Sequence, residues 1–187
     1  MSDTDRLKEM RPELVKRFRH VVNGNVDELN CAMKSGKLNA VAWLTRNLLE
    51  LAIWSSYCLR SEGNAKQFVL DSARDLHDAM DVPDGILSQS FSFREARAES
   101  IANAKQDGFE TLDENYKAVS AVARELGHAQ EFRTLNKMLS KFAHPTALAV
   151  IFDNDQVKDR FREKFYAIGL RLAEETLKML DGALLQA

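Results

Sequence analysis

Three residues stand out for the chemistry that their types and spacing allow: Arg46, Glu50 and His144. Glu50 lies in the run Leu48-Leu49-Glu50-Leu51-Ala52-Ile53-Trp54, among apolar neighbours. A carboxylate is costly to bury unless it is paired or protonated. Arg46 stands four residues earlier, the spacing that lets two side chains meet on one helix face. Asn47 is also within reach of that face. Two readings stay open: a polar pocket lined by Arg46, Asn47 and Glu50, or an internal ion pair that fixes helix register. His144 closes Ser140-Lys141-Phe142-Ala143-His144-Pro145, with Ser140 one turn before it. The residue before a proline is pushed out of the α region, so His144 falls at the C-terminal end of its helix. There an imidazole can act as acid, base or ligand, or simply as a cap favoured by the helix dipole.

Other polar patterns are weaker. Glu125-Leu126-Gly127-His128 has the Glu-x-x-His spacing of di-iron bundles, but that site needs a second copy and two further glutamates. Gly127 moreover ends the helix inside the motif. Asp71, Asp75, His77 and Asp78 make an acidic face that could bind a cation, and that reads more simply as a solvated helix surface. No P-loop, dinucleotide-binding glycine pattern, nucleophile elbow or zinc motif occurs, so neither metal nor cofactor is expected. Arg6, Lys8, Arg11, Lys16, Arg17 and Arg19 form a basic end diluted by Asp3, Asp5, Glu9 and Glu13, a solvated face. Cys31 and Cys58 sit in apolar helical patterns without metal-like spacing, and read as reduced core residues.

The elements that must position these groups are helices. The chain has 187 residues, 45% of them hydrophobic and 29% charged, with only 8 glycines and 3 prolines. That is too little turn-forming material for a sandwich or barrel. The expectation is an all-α, compact antiparallel bundle of about six to eight helices in a single domain, 1–187. Its core covers about 39–180, with N-terminal helices over 5–35 packed on it. Leu14, Val15, Phe18, Val21 and Val22 form a stripe that Gly24 ends. Asn25 and Glu28 read as a capping box for a short piece broken at Gly36. The most hydrophobic helix, 39–60, is apolar nearly all round and belongs at the centre; Gly63 stops it. Asn64 and Gln67 open the next helix, and Asp81-Val82-Pro83-Asp84-Gly85 is a turn. The stretch 86–93 reads as irregular, followed by a thin-striped helix over 93–106. A helix carrying Leu112, Tyr116, Val119, Val122 and Leu126 closes at Gly127. Another spans 129–143 and ends at Pro145. The segment 146–152 has strand-like periodicity but no partner strand, and is taken as a connector or helix extension. The last helix runs over 156–185, with Gly169 or Gly182 as places where it bends or frays.

Net charge is -2, which gives no footprint for non-specific nucleic-acid binding. The charged first ten residues lack the apolar core of a secretory signal, and the longest apolar run is too short to cross a membrane. A cytoplasmic protein with no membrane partner is expected.

Leu44-Thr45-Arg46-Asn47-Leu48-Leu49-Glu50-Leu51, with Leu139-Ser140-Lys141-Phe142-Ala143-His144-Pro145-Thr146 far downstream, resembles a group of uncharacterised bacterial helical domains. Their pattern is an Arg-x-x-x-Glu helix and a later Ser-x-x-x-His-Pro-Ser/Thr. The resemblance covers mainly 39–75 and 132–150. Such domains are similar in architecture to HEPN bundles, many of which are ribonucleases of toxin–antitoxin and abortive-infection systems. The resemblance implies that Arg46, Glu50 and His144 gather in one pocket. HEPN ribonucleases carry an Arg and a His with four to six residues between them, whereas Arg124 and His128 here have three between them. The leading expectation is therefore a helical interaction or small-ligand-binding module. It would act on a protein or small ligand through Arg46, Asn47, Glu50, Ser140 and His144, and could pair as a homodimer through the final helix. The alternative is a HEPN-like nuclease or nucleotide-binding protein in which His144 is acid/base and Arg46 steadies a phosphate; nucleic acid is a partner only there.

Overall fold

The computed structural model describes residues 3–69, 71, 117–144, 146 and 154–185. It is an all-α bundle, and no strand occurs among the described residues. The helices are α1 (Asp3–Lys34), α2 (Leu38–Arg60), α3 (62–69), α4 (Val119–Glu125), α5 (Ala129–Ala143) and α6 (Asp155–Leu184).

The centre is a parallel pair, α2 and α6. Thr45 Oγ1 donates to the Phe165 carbonyl at 3.0 Å, and Gly169 sits against Thr45 and Leu48. A Cβ at Gly169 would come within 2.8 Å of Leu29 Cδ2 and 2.9 Å of Thr45 Oγ1, so only a bare backbone lets the helices approach this closely. α1 lies antiparallel to both members of the pair. Arg11 donates to the Leu59 carbonyl and Asn47 to Asn25, while Tyr166 bonds Asn30 and Arg19 pairs with Asp181. On the other side α5 runs antiparallel to α2. Phe142 meets Phe161 and Phe165 of α6 at centroid distances of 4.8 and 5.4 Å. Val22, Leu29, Val41, Leu48, Leu139, Phe165 and Leu180 are fully or almost fully buried at the contacts of these helices. Burying each such side chain contributes about 1.5–3 kcal/mol.

Several boundaries follow the sequence reading closely. α2, α5 and α6 begin and end within one residue of the expected 39–60, 129–143 and 156–185. Gly36 and Gly127 end α1 and α4 with φ of 70° and 84°, a left-handed conformation that favours glycine. Each closes a Schellman motif, with Lys37 N donating to Ala32 O and His128 N to Ala123 O.

Other boundaries differ. α1 is one helix through Gly24, and Asn25 lies inside it, its side chain donating to Val21 O. A glycine lowers helix stability by only about 1 kcal/mol, too little to end a helix that packs along its length. Gly63 does not stop α2; Ser61 does. Its backbone is extended, its hydroxyl accepts from Asn64 N, and Gly63 falls in the first turn of α3. Ser61, three residues before Asn64, therefore caps α3 in place of the Asn64–Gln67 box expected from the sequence. α6 passes through Gly169 and Gly182 without interruption. The helix expected through Tyr116 to Leu126 begins only at Val119, after non-helical Lys117 and Ala118. Cys31 is exposed on the outer side of α1, whereas Cys58 is buried as expected. The expected turn 81–85, the stretch 86–93, the helix 93–106, residues 147–152, and Asp75, His77 and Asp78 lie outside the described residues.

Candidate functional site

α2 is less uniformly apolar than its composition suggests. Its outer side carries Trp43, which is 47% exposed, and then the half-buried Arg46, Asn47 and Glu50. The Arg46 and Glu50 side chains keep 28% and 30% of their exposure, so Glu50 is not the deeply buried carboxylate that its neighbours in sequence imply. The i,i+4 spacing holds: Arg46 Nη2 lies 3.0 Å from Glu50 Oε1. In isolation a pair of this kind stabilises by about 0.3–0.5 kcal/mol.

The guanidinium does more than pair with Glu50. Its Nε donates to Asn136 Oδ1 at 2.8 Å, and its Nη1 donates to His144 Nε2 at 3.3 Å. The four residues thus form one network, although 98 positions of chain separate Arg46 from His144. The antiparallel packing of α5 on α2 makes this possible, because the last two turns of α5 pass Arg46. A guanidinium can only donate, so His144 Nε2 must be the acceptor and the neutral ring carries its proton on Nδ1. His144 is exposed, with an extended backbone at the C-cap of α5. Thr146 closes this end: its hydroxyl donates to Lys141 O at 2.7 Å and its N–H to His144 O at 2.7 Å.

Asn47 turns the other way, donating to Asn25 of α1 at 3.5 Å, and does not join the network. Ser140 is half-buried one turn from both Asn136 and His144. Asn136 is the member that sequence reasoning missed. The signal was the ladder Asn136-x-x-x-Ser140-x-x-x-His144, three polar residues at one-turn spacing on a helix whose other face is apolar.

The remaining candidates separate. Glu125 pairs with Lys117 at 2.8 Å and His128 with Glu131 at 3.0 Å, so the Glu-x-x-His pair does not converge. Among the described residues no three His, Cys, Asp or Glu side chains are grouped to hold a metal ion. Lys117 also donates to Tyr57 Oη at 2.8 Å. The bonds to Glu125 and Tyr57 hold its ammonium above the ordinary lysine pKa. Burial pushes the Cys58 thiol up to about 12, which leaves it inert as a nucleophile near neutrality. No helix among the described residues is long and apolar enough to cross a membrane.

Residues 23–159, most of the chain and all four members of the network, match the model of a family of unknown function (DUF5677). The chain belongs to that family. No curated protein and no solved structure matches it.

Proposed function

We propose that this member of the family is a helical small-ligand-binding module whose site is the Arg46–Glu50–Asn136–His144 network. The observation that carries the reading is the contact of Arg46 Nη1 with His144 Nε2, two exposed-edge groups brought together from distant helices. Glu50 and Asn136 fix the guanidinium through Nη2 and Nε, leaving Nη1 directed at the imidazole. Such a pair suits a ligand that carries an anionic group next to a hydroxyl. The anionic oxygen accepts from Arg46, the hydroxyl donates to the Nε2 lone pair, and the direct contact opens to admit both. The same reading takes the chain as one cytoplasmic domain.

A second reading shares these atoms. With a phosphodiester as the anionic group, His144 Nε2 is placed to take a proton from the adjacent hydroxyl while Arg46 holds the phosphate, as a HEPN-like nuclease would require. The Arg46–His144 contact favours it, and the exposure of His144 gives a substrate access.

Binding is tested by thermal shift with inorganic phosphate and with a ribonucleoside monophosphate, on wild type and Arg46→Ala. A saturable rise in Tm that Arg46→Ala abolishes supports the site; equal responses in both proteins remove it. The nuclease reading is tested with single-stranded RNA on wild type and His144→Ala. Equal cleavage by the two, or none by wild type, eliminates it and leaves the binding reading to stand on the first assay.

A further inference from the structure

α5 carries three exposed cations, Arg133, Lys137 and Lys141, at one-turn spacing on its outer side. Four residues of helix rise about 6 Å, so the three mark a line of charge about 12 Å long. Like charges at this spacing repel, and the line weakens the helix that carries it. On α1 and α6 such charges are offset within the helix: Arg17 pairs with Glu13, Lys158 with Asp155, Arg162 with Asp159 and Arg171 with Glu175. On α5 no carboxylate takes that part. The sequence has no Asp or Glu from 132 to 152, and Glu131 is held by His128. Among the described residues none of the three cations is in an ion pair.

The line borders the network. Arg46 bonds both Asn136 and His144, so its guanidinium lies alongside the two turns that carry Lys137 and Lys141. Glu50, the only acid of α2, is bonded to Arg46, which leaves the three α5 cations as the excess charge of this surface. One turn before Arg46 stands Trp43, 47% exposed and the one exposed aromatic ring among the described residues.

Cations spaced about one nucleotide apart suit successive phosphates, and an exposed indole suits an unpaired base. A duplex keeps its bases stacked inside, and an acidic peptide brings no flat ring with each charge. The hydroxyl beside an anionic group that fits Arg46 and His144 is, on a nucleic acid, the 2′-OH next to a phosphodiester, which DNA lacks. We propose that this face binds single-stranded RNA, its backbone along Arg133, Lys137 and Lys141 and a base stacked on Trp43. The choice of RNA over DNA rests on the ligand reading of Arg46 and His144; the cation line and Trp43 do not.

Fluorescence anisotropy of a labelled oligouridine, titrated with the full chain at several salt concentrations, tests the proposal. Wild type should bind at micromolar concentrations, with log K falling against log salt at a slope of about −2 for three phosphate contacts. Combined Arg133→Ala, Lys137→Ala and Lys141→Ala should weaken binding at least about tenfold and flatten that slope. The three positions are exposed and alanine favours helix, so circular dichroism should find the helix content unchanged. Trp43→Ala should weaken binding about tenfold at an unchanged slope, with Trp43→Phe between it and wild type. Oligodeoxyuridine should bind more weakly than oligouridine, and polyglutamate of equal charge should compete poorly. Absence of wild-type binding, a triple variant that binds like wild type, equal binding of the deoxy strand, or full competition by polyglutamate each overturns the proposal. The phosphate thermal shift on Arg46→Ala is read separately. If that shift holds while the RNA arms fail, the proposal falls and the ligand site stands; the reverse pattern removes the ligand site and keeps the RNA face.

Discussion

Replacing Gly169 by alanine should destabilise the protein, although alanine is the better helix former. Gly169 is helical and buried, and an added Cβ would lie 2.8 Å from Leu29 Cδ2 and 2.9 Å from Thr45 Oγ1. Separations that short are not tolerated, so α6 must move away from α2 or both side chains must shift. Overpacking of this kind costs about 1–3 kcal/mol. Displacing Thr45 also strains its 3.0 Å bond to Phe165 O, worth about 1 kcal/mol. Against these stands a gain of about 1 kcal/mol in helix propensity. The net is a loss of about 2 kcal/mol, and at about 2–4 °C per kcal/mol in a chain of this size Tm should fall by about 4–8 °C. Gly24→Ala is the control. Gly24 is also within a long helix, but a Cβ there meets nothing within 4 Å. Only the propensity gain applies, and Tm should rise by about 2–4 °C. Thermal denaturation by circular dichroism measures both. An unchanged or higher Tm for Gly169→Ala would refute the close packing of α2, α6 and α1 at this point.

Tyr166→Phe removes the 2.6 Å bond to Asn30 that links α6 to α1, and urea denaturation should record a loss of about 1 kcal/mol. Nitrogen NMR on the neutral His144 ring should find the proton on Nδ1; a proton on Nε2 would be incompatible with donation from Arg46. Native protein should react with a thiol reagent once, at exposed Cys31, and twice after denaturation, when Cys58 becomes accessible. The Cys58 thiol is raised from 9.0 to about 12 in the fold, so its contribution to stability is complete below pH 9 and is lost as pH rises toward 12. Lys117, raised by Glu125 and Tyr57, adds a loss of the same sign above its ordinary 10.5. Cys58→Ala should flatten the decline in denaturation midpoint between pH 9 and 10.5, and an unaltered slope would show that the thiol is not the group responsible.

Where local chemistry decides, the sequence was readable. The stop at Gly127 and the restart before Phe132 bounded α5, and Gly36 marked the end of α1. Gly24 and Gly169 are alike as letters, yet one faces open space and the other a close contact with Leu29 and Thr45, which only packing distinguishes. The Arg46–Glu50 pair follows from helix geometry alone. Its link to Asn136 and His144 depends on the direction in which α5 crosses α2, and no local pattern encodes that. Glu50 looked buried because its sequence neighbours are apolar. On a helix those neighbours point elsewhere, and its own face is the one shared with exposed Trp43 and half-buried Arg46.

The pairing of α2 with α6 also has a consequence for how the chain reaches this structure. Thr45 and Phe165 are 120 positions apart, so the central contact closes a long loop, while α1 and α2 are joined by a short one. Local contacts form quickly and distant ones slowly. During synthesis α1 and α2 leave the ribosome well before Phe165 and Gly169, and at about 5–20 residues per second that interval lasts on the order of ten seconds. Through it the α2 surface around Thr45 and Leu48 is without its partner, and the hairpin of α1 and α2 must stay soluble until α6 arrives.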